Sequence, residues 1–315
     1  MIHLDAPGAP LSSGVALPRD FAPRYGAGVQ RGLSLGGGGL FFIAWQVAYL
    51  RTLHAAGVQW DGAERIVGTS AGSVVAWALV SRHLRRLHIE GVLLSRLPSV
   101  VSALAPADNF NDSQLRALTL FQQATSAEPD TIRAIGHAAL AAHTPPARSL
   151  PRNLSLLLGR QRWPSSRLHI TCIDAYTGER CVVTEQAGVS IATASAASCA
   201  LPGVFAPQAI GDRQCMDGGV SGTGVHLDLL AGASRALVLS VADGTEVAEG
   251  MMTSHPDAIR DEIEALVSSG TEVLVRRPAE VTPEDLMSPR SIPKALAMGR
   301  RQAHEDTGRI AEFWG

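Results

Sequence analysis

The sequence predicts an α/β fold: one domain built on a mainly parallel central sheet flanked by helices. Short apolar runs rich in β-branched residues alternate with longer stretches whose apolar residues recur at helical spacing, the signature of strand–helix–strand units. Glycine-rich turns fall where predicted strands end and helices begin. The 315-residue chain is 46% hydrophobic with a formal net charge of −2, enough apolar material for a large core and outside the range of disordered chains.

The elements follow in order. A short strand over 32–35 runs into four consecutive glycines, Gly36 to Gly39. Residues 40–56 carry Phe42, Trp45, Tyr49, Leu50 and Leu53 at helical spacing and stop at Gly57, a suitable helix terminator. A strand-like run over 65–68 enters Gly68-Thr69-Ser70-Ala71-Gly72, and a second helix is expected over 73–87. Residues 88–164 read as mostly helical, with breaks at Pro145, Pro146 and Pro151. Strands over 167–174 and 180–184 flank a turn at Tyr176-Thr177-Gly178-Glu179. Small residues dominate 190–200, before a strand over 213–216 that leads into Asp217-Gly218-Gly219. The remaining expectations are a buried strand over 236–241, a helix over 256–268, a strand over 271–275 and a closing helix over 292–310. Residues 1–30 read as a loosely ordered extension and 31–315 as the domain.

Several classes of function are disfavoured. A near-neutral charge balance gives no support to nucleic-acid binding. No apolar run approaches the ~20 residues of a membrane span, and the first 32 residues lack the basic start and apolar core of a secretory signal. Cys172, Cys181, Cys199 and Cys215 show no CxxC spacing, so reduced thiols and a cytoplasmic address are expected, with a Cys172–Cys181 cross-strand disulfide as the alternative. No run of alternating Asp and Asn ligands suggests a metal loop, and no cofactor motif is present.

Three motifs carry chemistry. Gly68-Thr69-Ser70-Ala71-Gly72 between a strand and a helix is the pattern of a nucleophile elbow, in which Gly68 and Gly72 relieve the crowding of a sharp turn that projects Ser70. The following helix aims its N-terminus at the reacting centre, where negative charge develops. The glycine run fails as a dinucleotide fingerprint, because Phe41 or Phe42 stands where the last glycine belongs, and it has no Gly-Lys pair for a P-loop. What remains is a nest of backbone N–H groups able to hold an oxyanion. Asp217, ending a strand before Gly218-Gly219, is a candidate base or an ordinary Asp-Gly turn. His226, His255 and His304 lie downstream of Ser70 and leave a Ser-Asp-His order open.

Together these pieces resemble the patatin-like phospholipases. The match extends to Ala194-Ser195-Ala196-Ala197 and Pro202-Gly203-Val204-Phe205-Ala206-Pro207 on the approach to Asp217, and runs from about residue 31 to 241. The resemblance implies a three-layer α/β/α fold and a lipid acyl hydrolase with a Ser70–Asp217 dyad and no catalytic histidine. It places the oxyanion hole in Gly36–Gly39, chiefly Gly37 and Gly38, and needs no cofactor. One departure stands out: Leu40 and Phe41 occupy positions where the family carries a basic residue and a glycine. A lipid substrate further implies peripheral membrane contact; Phe41, Phe42, Trp45 and the Arg82, Arg85, Arg86 cluster are candidates, although helical spacing favours core and a solvated helix end.

Two other readings stay open. One is a Ser-His-Asp α/β-hydrolase, against which the single strand and helix before Ser70 argue. The other is a catalytically silent protein that keeps the fold to bind lipid or a partner.

Overall fold

The structure is a computed structural model and describes residues 16–94, 110–158, 163–243, 245 and 257–315. Its centre is an eight-stranded sheet formed by β1 (Arg31–Leu35), β2 (Arg65–Thr69), β3 (Leu168–Asp174), β4 (Arg180–Val183), β5 (Gln208–Ile210), β6 (Arg213–Asp217), β7 (Arg235–Leu239) and β8 (Glu272–Arg276). The order is β5-β6-β3-β2-β1-β7-β8, with β4 also paired to β3. The five strands from β3 to β8 along this path are parallel, while β4, β5 and β6 make the antiparallel pairings. The sheet is therefore parallel through its middle and mixed on one side.

Helices α1 (Gly39–Ala55), α2 (Ala71–Val80) and α3 (Leu84–Leu94) follow the first two strands. Next come α4 (Asp112–Gln122), α5 (Pro129–Ala141), α6 (Ser149–Leu158) and α7 (Ile191–Ser198), then α8 (Ala258–Ser268), α9 (Pro283–Met287) and α10 (Ile292–Trp314). Strand alternation divides the core. Leu33, Leu35, Ile66, Leu237 and Leu239 pack with α1, α2 and α10 on one face, whereas Val67, Ala236 and Val238 pack with Ile259 and Leu266 of α8 on the other. The larger core is centred on α1, whose Phe41, Phe42 and Trp45 are fully buried, which removes them as membrane contacts. Gly299 lets α10 lie directly on α1, since a β-carbon there would sit 2.5 Å from the Trp45 carbonyl. Trp45 and Tyr49 then donate to Gln302 and Asp306 of α10, each at 2.8 Å.

Three expectations need correction. The helix expected over 73–87 is two helices, because Arg82 adopts a left-handed conformation (φ 59°). The amides of Arg82 and His83 cap the carbonyls of Leu79 and Ala78, a helix-ending motif that usually carries glycine and so leaves no signal when arginine occupies it. Strand β5 was not expected at all; its three residues are too few for alternation to register. Of the extension expected to be loosely ordered over 1–30, residues 16–30 are tied down, and 1–15 lie outside the described residues. Ala16 bridges Cys181, Arg19 contacts Glu262 at 2.5 Å and Ser221 at 2.8 Å, and Tyr25 is buried. The cysteines are free thiols; Cys172 and Cys181 face each other across β3 and β4 without a disulfide. Arg82 pairs with Asp61 and Arg86 with Glu90, so both serve surface ion pairs. No helix among the described residues is long and apolar enough to cross a membrane.

Candidate active site

The site forms where β1, β2 and β6 end. Chain geometry at the β2–α2 junction is forced: Ser70 takes φ 49° and ψ −119°, a conformation side-chain-bearing residues rarely adopt. A β-carbon on Gly72 would lie 1.8 Å from the Leu35 carbonyl oxygen, and one on Gly68 would lie 2.9 Å from the Gly72 carbonyl. Only hydrogen fits at either position, so α2 can begin directly against β1. The Ser73 hydroxyl donates to the Ser70 carbonyl at 2.7 Å and closes the turn.

Asp217 reaches Ser70 by a crossover. β6 lies beyond β3 in the sheet, with Asp217 in register with Cys172. The chain then passes over the top of β3, so closely that a β-carbon on Gly218 would meet the Thr171 carbonyl at 2.6 Å and Thr69 Cγ2 at 2.8 Å. The Gly219 amide donates to Asp217 Oδ1 at 2.8 Å, and the Ser70 hydroxyl donates to Oδ2 at 2.8 Å. Both carboxylate oxygens are thus occupied and the group is held in one orientation. Burial raises its pKa from 3.8 to about 6, against the opposing effects of the Gly219 and Ser70 hydrogen bonds. At neutral pH it is an ionised acceptor whose proton affinity sits near the ambient pH, as a base requires.

The glycine loop divides by role. The amide of Gly36 is taken by the Leu239 carbonyl at 2.9 Å, an extension of the β1–β7 ladder, so Gly36 is not an oxyanion donor as the resemblance allowed. Its carbonyl accepts from the buried Gln46 side chain at 3.0 Å, which anchors the loop. Among the described residues the amides of Gly37, Gly38 and Gly39 donate no backbone hydrogen bond. Gly37 lies against Ser70, its would-be β-carbon 3.3 Å from Ser70 Cβ. Gly38 and Gly39 have φ of 151° and 64° with protein packed where side chains would project, so glycine is required at both. Phe41, expected as a departure from the family pattern, is core, while Leu40 lines the cleft.

The histidines do not join this constellation. His226 is buried, its Nε2 lies 3.0 Å from the Gly218 carbonyl, and burial lowers its pKa well below the usual range. It braces the turn after Asp217 and makes no hydrogen bond to Ser70. His304 is exposed on α10, and His255 lies outside the described residues. Ser198 was missed in the sequence: its hydroxyl accepts from the Ser70 amide at 2.7 Å and donates to the Thr171 carbonyl at 2.7 Å, fixing the elbow to β3. The density of small residues over 190–200 was the available signal, because a helix must be this narrow to lie beside the elbow.

Ser70 and Asp217 open into a cleft walled by Leu40, Ile43, Val74, Leu150, Leu154 and Phe205, in which Asp217 is the only ionisable carboxylate or cation among the lining residues. No group of three or more metal-ligating side chains occurs among the described residues.

A serine projected from a strand-to-helix elbow against a buried carboxylate, beneath a glycine-rich loop and inside an apolar cleft, defines an acyl-hydrolase-type α/β protein. The model of the patatin-like phospholipase family matches residues 33–230. The chain belongs to this family and so to a class of lipid acyl hydrolases. Among solved structures, VipD from Legionella pneumophila aligns over 90% of this chain and 68% of its own, at 13% identity and a TM-score of 0.39. The type III effector protein ExoU aligns over 89% of this chain at 19% identity and a TM-score of 0.33, and this chain covers about half (53%) of its length. No curated protein matches the chain.

Proposed function

We propose that the protein hydrolyses fatty acyl esters through a covalent acyl-serine intermediate, with Ser70 as nucleophile and Asp217 as the general base. The observation that carries this reading is the 2.8 Å hydrogen bond from the Ser70 hydroxyl to Asp217 Oδ2 at the floor of the apolar cleft. Asp217 takes the hydroxyl proton as Ser70 Oγ attacks the ester carbonyl carbon. The amides of Gly37, Gly38 and Gly39 and the N-terminus of α2 face the negative charge that develops on the carbonyl oxygen. Collapse of the tetrahedral species expels the alcohol, which leaves with the proton held by Asp217. Asp217 then deprotonates a water that attacks the acyl-serine, and returns that proton to Ser70 as the fatty acid departs. The apolar walls would hold the acyl chain, while Leu40 supplies no charge for a phosphate. A general acyl hydrolase that accepts neutral esters as well as phospholipids is therefore expected.

A fluorophosphonate probe tests the nucleophile. Labelling of the wild type and its loss in Ser70→Ala are expected; labelling that survives the substitution would place the nucleophile elsewhere. Fatty-acid release from phosphatidylcholine, lysophospholipid, monoacylglycerol and acyl-CoA tests the breadth, and strict phospholipid selectivity would contradict it.

The pH profile follows from the raised pKa of Asp217. Once protonated, the carboxyl cannot accept the serine proton. kcat/KM is therefore expected to be flat near neutrality and to fall about tenfold per pH unit below an apparent pKa of about 6. Full activity well below that value would exclude Asp217 as the base.

A further inference from the structure

Charge is unevenly distributed along this chain. Between Asp130 and Asp174 there is no acidic residue, while six arginines occur, in a protein whose net charge is −2. Helix α6 lies in this stretch and divides its faces sharply. Leu150, Leu154 and Leu157 line the cleft that holds Ser70 and Asp217. On the opposite side Arg148, just before the helix, and Arg152 and Leu156 follow one another at four-residue spacing, which places them in one exposed row. Leu156 is 76% exposed, the most exposed large apolar side chain of those described. Neither Arg148 nor Arg152 has an acidic partner among the described residues.

We propose that this outer row of α6 docks the protein on an anionic lipid bilayer, with the catalytic cleft on the other side of the same helix. The inference rests on the acyl-hydrolase reading above. The row combines two exposed guanidiniums without acidic partners with the most exposed leucine described, charge and apolarity that an anionic bilayer complements. Against a bilayer, the arginines meet anionic headgroups and Leu156 enters the acyl boundary. The cleft wall and most of the docking row belong to the same ten-residue helix, so docking holds the protein by an element that also walls the cleft.

Flotation of the full chain, carrying Ser70→Ala to spare the vesicles, tests this with phosphatidylcholine alone and with phosphatidylcholine mixed with phosphatidylglycerol. Preferential binding to the anionic vesicles, weakened by salt, is expected. Arg148→Gln with Arg152→Gln should lower partitioning about 25-fold, and Leu156→Ser about tenfold. All three side chains are exposed, so the variants should fold; in the active background they should hydrolyse a water-soluble short-chain ester at the parental rate while losing activity on vesicle lipid. Absence of vesicle binding by the parent, or undiminished binding by the arginine variant, would overturn the proposal, including in favour of a protein partner. Variant-sensitive vesicle binding in a protein that hydrolyses no ester would instead sink the catalytic reading and leave this one standing.

Discussion

Asp217→Asn is expected to lower kcat roughly 10²–10⁴-fold, the range that loss of a general base produces, while leaving the fold at least as stable as the wild type. The activity loss follows because the amide keeps the shape of the carboxyl, donating to the Ser70 hydroxyl instead of accepting its proton. The stability gain follows from linkage. Folding raises the Asp217 pKa from 3.8 to about 6, so the native state binds the proton more tightly than the unfolded chain does. Native stability therefore falls as pH rises from about 4 to about 6, and the deficit stays constant above that. A shift of about two units corresponds to about 3 kcal/mol, which asparagine avoids. Melting temperatures of the two proteins should diverge across this interval and converge below it, alongside kinetics on a soluble ester. An asparagine variant that melts well below the wild type at neutral pH, or that keeps full activity, would contradict the role assigned to this carboxylate.

Gly72→Ala is expected to have the largest effect on folding. The added methyl would lie 1.8 Å from the Leu35 carbonyl oxygen and 2.4 Å from its carbon. Both are backbone atoms at the end of a central strand, and neither can yield without breaking the sheet. Relief requires α2 to lift from β1, which opens the elbow and separates Ser70 from the glycine loop. A loss of about 4 kcal/mol or more is expected, equivalent to a fall in Tm of about 6 °C or more at this chain length. The same substitution at Gly308, exposed in α10 with open space around it, should raise stability by about 1 kcal/mol. Thermal melts of the two variants make the comparison. Wild-type stability in Gly72→Ala would show that the close approach of α2 to β1 is not required.

These two residues also mark what could be read in advance. The elbow was legible because its requirement is local: a strand must turn at once into a helix, and glycines two residues either side of Ser70 are what such a turn needs. The glycine run was legible as a nest of amides for the same reason. Its internal division was not, because whether Gly36 donates to an oxyanion or to the Leu239 carbonyl depends on β7, about 200 residues away. The break between α2 and α3 escaped notice because arginine stands where glycine normally ends a helix. Residues 16–30 look unstructured by composition; the Arg19 contacts with Ser221 and Glu262 that order them span more than 200 residues.

The sequence by itself determined the alternation of strands and helices, the elbow at Ser70 and the pieces of a site, since each depends on residues within a turn or two of one another. Asp217 was named in advance by its motif and by the family resemblance, but only the tertiary structure shows how it reaches the serine. Twenty-nine acidic side chains are present, and Asp217 is set apart because β6 pairs antiparallel with β3 and Gly218 lets the chain cross it, closing a 147-residue separation to 2.8 Å. Burial at that crossing, which no local pattern encodes, is also what raises its pKa toward the value a base requires.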